Sequence, residues 1–152
     1  MSATLAILDA VAARLTGDPL LRTYLSATPQ APRVFVGHAV AEITKDDGTA
    51  WPYVTIREPA EDEVPAYASS AAPLFADSLR VRVWVPAGME RLAVEGYGHV
   101  RRALVGPGAA PLAVDPVSGR AAVRVDVRLE RTVPDPDGAL QALVAVDVAA
   151  TA

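Results

Sequence analysis

Apolar residues recur at helical spacing in three parts of the chain. In residues 2–15 they fall at positions 5, 8, 12 and 15, which share one face of a helix with 3.6 residues per turn. Residues 89–105 repeat this pattern, and the run Gly106-Pro107-Gly108 is typical of a helix end. Between them, Asp18 followed by Pro19 has the order expected at the start of a shorter helix, whose apolar side is predicted to contain Leu20, Leu21, Tyr24 and Leu25.

Alternation of apolar and polar residues predicts strands in other segments. Residues 77–85 are the clearest case, because Leu79, Val81, Val83 and Val85 alternate with Arg80, Arg82 and Trp84. Shorter or weaker strand patterns lie at residues 33–36, 52–58, 112–114, 121–133 and 140–148. Turn residues at 134–138 predict that the last two strands form an antiparallel hairpin. The whole pattern predicts an α+β fold, in which an antiparallel sheet has two main helices packed on one face.

The segment at about 59–76 shows neither the helical nor the strand periodicity of apolar residues. It is rich in proline and alanine, and it contains the acidic run Glu61-Asp62-Glu63. Stretches of this length without secondary structure are uncommon inside a compact domain and are usually functional or disordered. We therefore predict a single domain over residues 1–152 with a long acidic loop. We interpret the acidic run as a solvated segment rather than a cation site.

Composition narrows the class of protein. Hydrophobic residues make up 51% of the 152 residues and charged residues 21%, which favours a folded domain over a disordered chain. The absence of cysteine excludes disulfide scaffolds, zinc–thiolate sites and cysteine nucleophiles. A net charge of −4 argues against a protein that binds the phosphate backbone of nucleic acids. No stretch approaches the ~20 apolar residues that span a bilayer, so we expect no membrane partner.

Residues with catalytic or metal-binding chemistry are few. Neither His38 nor His99 lies in a metal-binding spacing, and His99 is predicted to be a hydrogen-bonded structural residue at the border of an apolar helix face. Residues 135–138 resemble the start of a calcium loop, but its twelfth position is Val146, which has no oxygen ligand in its side chain. We therefore predict no catalytic residue, no metal site and no cofactor.

The polar faces of two predicted strands are rich in arginine. One interpretation is a solvated sheet face with cross-strand pairs to Asp126 and Glu130. The other is a surface that meets another protein, because arginine and tryptophan are favoured in interface cores. Both stay open for these residues, which are Arg80 and Arg82 with Trp84 on one strand and Arg124 and Arg128 on another.

Several segments together resemble the tail terminator, or tail-completion, proteins of long-tailed bacteriophages and phage-like particles. In the N-terminal half they are residues 13–16 followed by Asp18-Pro19-Leu20, then Arg33-Val34-Phe35, and then Trp51-Pro52-Tyr53-Val54-Thr55-Ile56, where the family typically has a Pro-Tyr-Val-Thr-like strand start. In the C-terminal half they are residues 78–85, Val100-Arg101-Arg102-Ala103-Leu104, residues 131–138 and the final strand. The resemblance covers about residues 3–149. The chain departs from the family at residues 37–50 and at residues 59–76. The second of these segments is longer and more acidic than the family pattern leads us to expect.

The resemblance implies a non-enzymatic structural protein of the virion that is assembled in the host cytoplasm. Copies of it would form a ring, usually a homohexamer, at the head-proximal end of the tail tube. The ring would stop tube growth and join the tail to the head–tail connector or stopper protein. DNA would pass through its channel without specific binding, for which an acidic subunit is suited. The alternatives are a connector or stopper protein itself, and a small-molecule-binding α+β domain.

Two hypotheses about contacts follow from the resemblance. In the first, the acidic loop contacts a neighbouring subunit or the adjoining ring through residues that include Glu61, Asp62, Glu63, Tyr67 and Phe75. In the second, Arg80, Arg82 and Trp84 lie at a subunit boundary.

Overall fold

Three helices and six strands make up the described part of the computed structural model, which comprises residues 3–27, 32–37, 52–57, 74–109, 112–115, 120–134 and 139–151. The helices are α1 (Ala3–Gly17), α2 (Pro19–Leu25) and α3 (Glu90–Val105). The strands are β1 (Val34–Val36), β2 (Tyr53–Arg57), β3 (Leu74–Pro86), β4 (Ala113–Asp115), β5 (Arg120–Pro134) and β6 (Ala139–Thr151). None of these helices is long and apolar enough to cross a membrane.

The strands form one sheet in the order β1-β2-β3-β6-β5-β4. The last strand in the chain, β6, therefore lies between β3 and β5 and is antiparallel to both. The β2–β3 and β4–β5 pairs are also antiparallel, whereas β1 and β2 run parallel. The predicted α+β class and the β5–β6 hairpin are confirmed. The sheet is mixed rather than wholly antiparallel, because β1 runs beside β2 in the same direction.

The hydrophobic core lies between the three helices and one face of the sheet. Alternate residues of β3 and β6 supply the sheet side of this core, and β2 adds Val54 and Ile56. Each such side chain stabilises the fold by roughly 1.5–3 kcal/mol when it is fully buried. The helix side comes mainly from Val11 and Leu15 of α1, Leu21 and Leu25 of α2, and Ala93 and Val100 of α3. The prediction that both main helices pack on one face is confirmed.

The close approach of α3 to the sheet requires a glycine. At Gly96 a Cβ atom would lie 2.5 Å from Cγ1 of Val83 and 2.7 Å from the hydroxyl oxygen of Tyr24. Real Cβ atoms essentially never approach other atoms this closely. The missing side chain therefore lets α3 rest directly on β3 and on α2.

Three details differ from the sequence predictions. β3 begins at Leu74 and not at residue 77, because its first residues pair with the end of β6, where Leu74 lies opposite Thr151. Leu20 is 54% exposed on the outer side of α2. The buried face of α1 includes Ile7 and Val11, whereas Ala12 is only partly buried.

Candidate functional site

The sheet has a second face against which no described helix packs. Strand residues here alternate with those of the core, so their side chains point away from the helices. Among the residues whose side chains the structure describes, this face carries five arginines and three carboxylates, although the whole chain has a net charge of −4. We call it the arginine face, after Arg57 of β2, Arg80 and Arg82 of β3, and Arg128 and Arg131 of β5.

A groove of about 250 Å³ lies in the middle of this face. The described residues that line it include Arg57, Arg80, Arg82, Arg131, Glu130 and Leu143. Arg80 forms an ion pair with Glu130. The guanidinium Nη1 of Arg82 donates to Oε1 of Gln141 at 3.2 Å. Arginines from three strands therefore converge on a groove in which Glu130 is the one described carboxylate.

An aromatic cluster closes one end of the arginine face. The rings of Tyr53 and Trp84 stack with centroids 5.9 Å apart, and Phe35 meets Tyr53 edge-on at 6.1 Å. The indole Nε1 of Trp84 donates to the Thr55 hydroxyl at 3.0 Å. Tyr53 and Trp84 are 1% and 2% exposed, so these rings leave little surface for a partner.

Carboxylates lie toward the opposite end. Asp147 of β6 is directly opposite Asp126 of β5, and its Oδ2 is 3.7 Å from Nη2 of Arg128. The other oxygen of Asp147, Oδ1, is buried and has no hydrogen-bond partner among the described residues. Because like charges in directly opposed positions destabilise a sheet, Arg128 offsets part of the repulsion between the two aspartates.

A second polar cluster joins α2 to α3 on the helix side. Oδ2 of Asp18 accepts the Leu21 amide at 2.8 Å, which confirms the predicted N-cap of α2. Both oxygens of the same carboxylate accept hydrogen bonds from Arg102, at 3.1 and 2.7 Å. The Arg102 hydrogen bond holds the pKa of Asp18 below its usual value, and the Leu21 amide acts in the same direction against the effect of burial. The same bond raises the pKa of Arg102.

His99 and Tyr24 extend this cluster. Nδ1 of His99 lies 3.4 Å from Nη2 of Arg102, and its ring is 5.1 Å from that of Tyr24. The Tyr24 hydroxyl donates to the Leu92 carbonyl at 2.5 Å, and burial raises the pKa of that hydroxyl. His99 is thus a partly buried, hydrogen-bonded residue, as predicted, and the cluster holds two helices together.

The structure brings only part of the predicted contact set together. Arg80, Arg82 and Trp84 share the arginine face, with Trp84 buried behind the groove. Phe75 lies in β3, opposite Ala150 of β6, and not in a loop. Glu61, Asp62, Glu63 and Tyr67 lie outside the described residues, as does His38.

Sequence reasoning missed Arg57 and Arg131 as members of the groove. Arg57 was detectable, because it has the same alternation as Tyr53 and Thr55 in β2. Arg131 was not detectable from the sequence. Simple alternation assigns this face to Glu130, but a register shift between Leu129 and Arg131 moves Arg131 onto it.

Comparison with known proteins does not assign the chain to a family. No family model matches it, and no curated protein matches it. Within the described ranges, no group of three or more histidine and acidic residues is placed to hold a metal ion. What the described site offers is a grooved, arginine-lined sheet surface, which is suited to binding carboxylate groups.

Proposed function

We propose that this protein is a non-enzymatic, ring-forming structural subunit that terminates the tail tube of a phage or phage-like particle. In this proposal the ring lies at the head-proximal end of the tube. It stops tube growth and joins the tail to the head–tail connector or stopper, and DNA passes through its channel.

The observation that carries the proposal is where the resembling segments fall in the fold. Residues 13–16 lie in the last turn of α1 and Asp18 caps α2, while Val34 and Phe35 lie in β1 and residues 53–56 lie in β2. Residues 78–85 lie in β3, and residues 100–104 form the end of α3. Residues 131–134 and the final strand belong to the β5–β6 pair. The segments that carry the resemblance thus fall largely in helices and strands, which supports the proposal.

The distribution of charge gives further support. An acidic channel repels DNA phosphates, whereas an arginine-rich lining would hold them. A subunit with a net charge of −4 that has five described arginines on one sheet face is suited to turn that face toward other subunits and away from DNA. Arginine at such a face favours protein contacts through its planar, multiply donating head group.

The proposal is tested by measuring the mass of the assembled protein and by imaging it. Light scattering over a concentration series, with and without purified tail tubes, measures the oligomer, and electron microscopy shows its shape and position. We expect a closed ring, either alone or on the head-proximal end of tubes. Protein that stays monomeric and binds neither tail tubes nor head connectors would refute the proposal. Binding to connectors but not to tubes would identify the connector or stopper alternative.

A further inference from the structure

One long edge of the sheet is open along β5. The neighbouring strand β4 pairs with β5 only at Arg120 and Ala121. Within the described residues, no other strand pairs with the outer side of β5, which continues to Pro134. Alternate residues of a strand direct their backbone N–H and C=O groups toward the same side. Such a row of unpaired groups is a template for pairing with another chain.

The middle of this edge is regular, whereas its two ends are not. Residues 124–129 pair with β6 in a constant register. Register shifts interrupt the pairing on both sides, between Ala122 and Arg124 and between Leu129 and Arg131. Irregularities of this kind twist an edge strand and protect it from pairing. They leave the stretch between them as the part of β5 that is suited to accept another strand.

The hydrophobic core is incompletely covered along the same stretch. Val127 is only 5% exposed, but its neighbours on the core side, Val125 and Leu129, are partly buried although they pack against the core. A strand added beside β5 would remove more of these two side chains from water. Burial of that apolar surface favours the addition.

The charged residues of this stretch are self-complementary. Arg124, Asp126, Arg128 and Glu130 alternate in sign along the strand. If two copies pair antiparallel with Val127 opposite Val127, Asp126 lies opposite Arg128 of the second copy and Arg124 lies opposite Glu130. A shift by two residues in either direction instead sets Arg128 opposite Arg128 or Asp126 opposite Asp126. Because opposed unlike charges stabilise a strand pair and like charges destabilise it, one register is selected.

The central charges of this pattern are accessible to a partner. Asp126 is exposed and forms no ion pair with another described residue. The side chain of Arg128 is 57% exposed, although its Nη2 lies 3.7 Å from Oδ2 of Asp147. Asp126 and Arg128 are therefore both placed to meet the opposite charge of a second chain.

We propose that β5 pairs with β5 of a second copy of this chain, antiparallel and across a two-fold axis at Val127. Directly opposed residues of an antiparallel pair point to the same face, so Val125 packs beside Leu129 of the second copy and the two cores adjoin. This contact is isologous, whereas a cyclic ring is closed by head-to-tail contacts. The inference therefore does not rest on the ring proposed above.

Reversal of one charge tests the register. Sedimentation over a concentration series measures the dissociation constant of the dimer. Asp126→Arg sets like charges opposite each other at two symmetric positions and should weaken the dimer at least about tenfold. It also removes the carboxylate that lies opposite Asp147 in the same subunit, so the fold should be kept. Adding Arg128→Asp restores unlike charges and should restore the dimer. A wild-type chain that stays monomeric throughout the series, or a lack of rescue, would overturn the proposal.

A matched control separates pairing from a general effect of charge. Glu90→Arg, on the exposed first turn of α3, changes the net charge by the same amount and should leave the dissociation constant unchanged. Circular dichroism and thermal unfolding check that every variant is folded. Equal weakening by Glu90→Arg and Asp126→Arg would contradict the specific contact and overturn the proposal.

Single cysteines identify the occupant of the edge, because the natural chain has none. Directly opposed residues have Cβ atoms about 4.5–5.5 Å apart, so Val127→Cys should oxidise readily to a disulfide-linked dimer. In Val125→Cys, the control, the two cysteines would be about 14 Å apart and should not link. Linking of Val125→Cys but not Val127→Cys would show another register and overturn the proposal. Preferential linking of Val127→Cys to Val36→Cys, in β1 of a second copy, would show another occupant and also overturn it.

Discussion

Replacing Gly96 by alanine tests whether α3 rests on the sheet as closely as the structure shows. The new Cβ would lie 2.5 Å from Cγ1 of Val83, and 2.7 and 3.1 Å from the hydroxyl oxygen and Cζ of Tyr24. Val83 is fully buried and β-branched, so its methyl group has little freedom to move. The Tyr24 hydroxyl is held by its hydrogen bond to the Leu92 carbonyl. The helix must therefore shift or Tyr24 must leave its partner.

Three effects set the size of the change in the free energy of unfolding. Alanine is better than glycine in a helix interior by about 1 kcal/mol. Overpacking a dense core costs about 1–3 kcal/mol, and loss of the Tyr24 hydrogen bond costs about 0.5–1.5 kcal/mol more. We expect Gly96→Ala to destabilise the protein by about 1–3 kcal/mol, despite the gain in helix propensity.

Urea unfolding followed by far-ultraviolet circular dichroism measures this change. Gly98→Ala is the matched control, because Gly98 lies in the same helix and a Cβ atom there would have no neighbour outside the helix backbone within 4 Å. That variant should be more stable by up to about 1 kcal/mol. A second control places Gly96→Ala in a Tyr24→Phe background, where the loss should be smaller because the hydroxyl is gone. Equal stabilisation by both alanine substitutions would refute the close packing of α3 on β3 and α2.

Further predictions concern a helix cap, a buried hydrogen bond and the core. Asp18→Asn keeps the cap of α2 but removes the charge that pairs with Arg102. Because the folded-state pKa of Asp18 is lowered, its contribution is present above about pH 4 and lost as the pH falls through the folded pKa. Thermal melts from pH 7 to pH 2 should therefore show less acid destabilisation for Asp18→Asn than for wild type, and equal slopes would contradict this. Thr55→Val leaves the indole N–H of Trp84 without its acceptor and should cost about 1–3 kcal/mol, measured by urea unfolding with tryptophan fluorescence. Leu79→Ala, at a fully buried site of β3, should cost about 2–5 kcal/mol in the same assay; a loss below 1 kcal/mol would contradict its core position.

The elements with strong local patterns were predictable from the sequence. β3 alternates strictly, so its core and arginine faces were assigned correctly at Leu79 and Arg80 alike. The N-cap at Asp18 was predictable because an Asp-Pro pair combines a side-chain acceptor with a residue that suits the first helical position. These features depend on neighbours within a few residues.

Features that depend on distant partners were not predictable. The direction of β1 relative to β2 follows from how the chain returns to the sheet, and three residues of β1 carry no sign of it. The placement of Arg131 follows from a register shift that leaves no mark in the alternation of β5. The groove therefore combines arginines that the sequence pattern identifies with others that only strand pairing brings in.

The central position of β6 has a consequence for how the chain folds. β3 and β5 are neighbours only through β6, which follows every other described element in the chain. A nascent chain that ends before Ala139 contains the apolar sides of all three helices and the core side of β3, but it lacks the strand that completes their packing. Pairs such as Leu74 with Thr151 join residues far apart in sequence, and folds dominated by such pairs form slowly. We therefore expect the sheet to be completed only after β6 has left the ribosome.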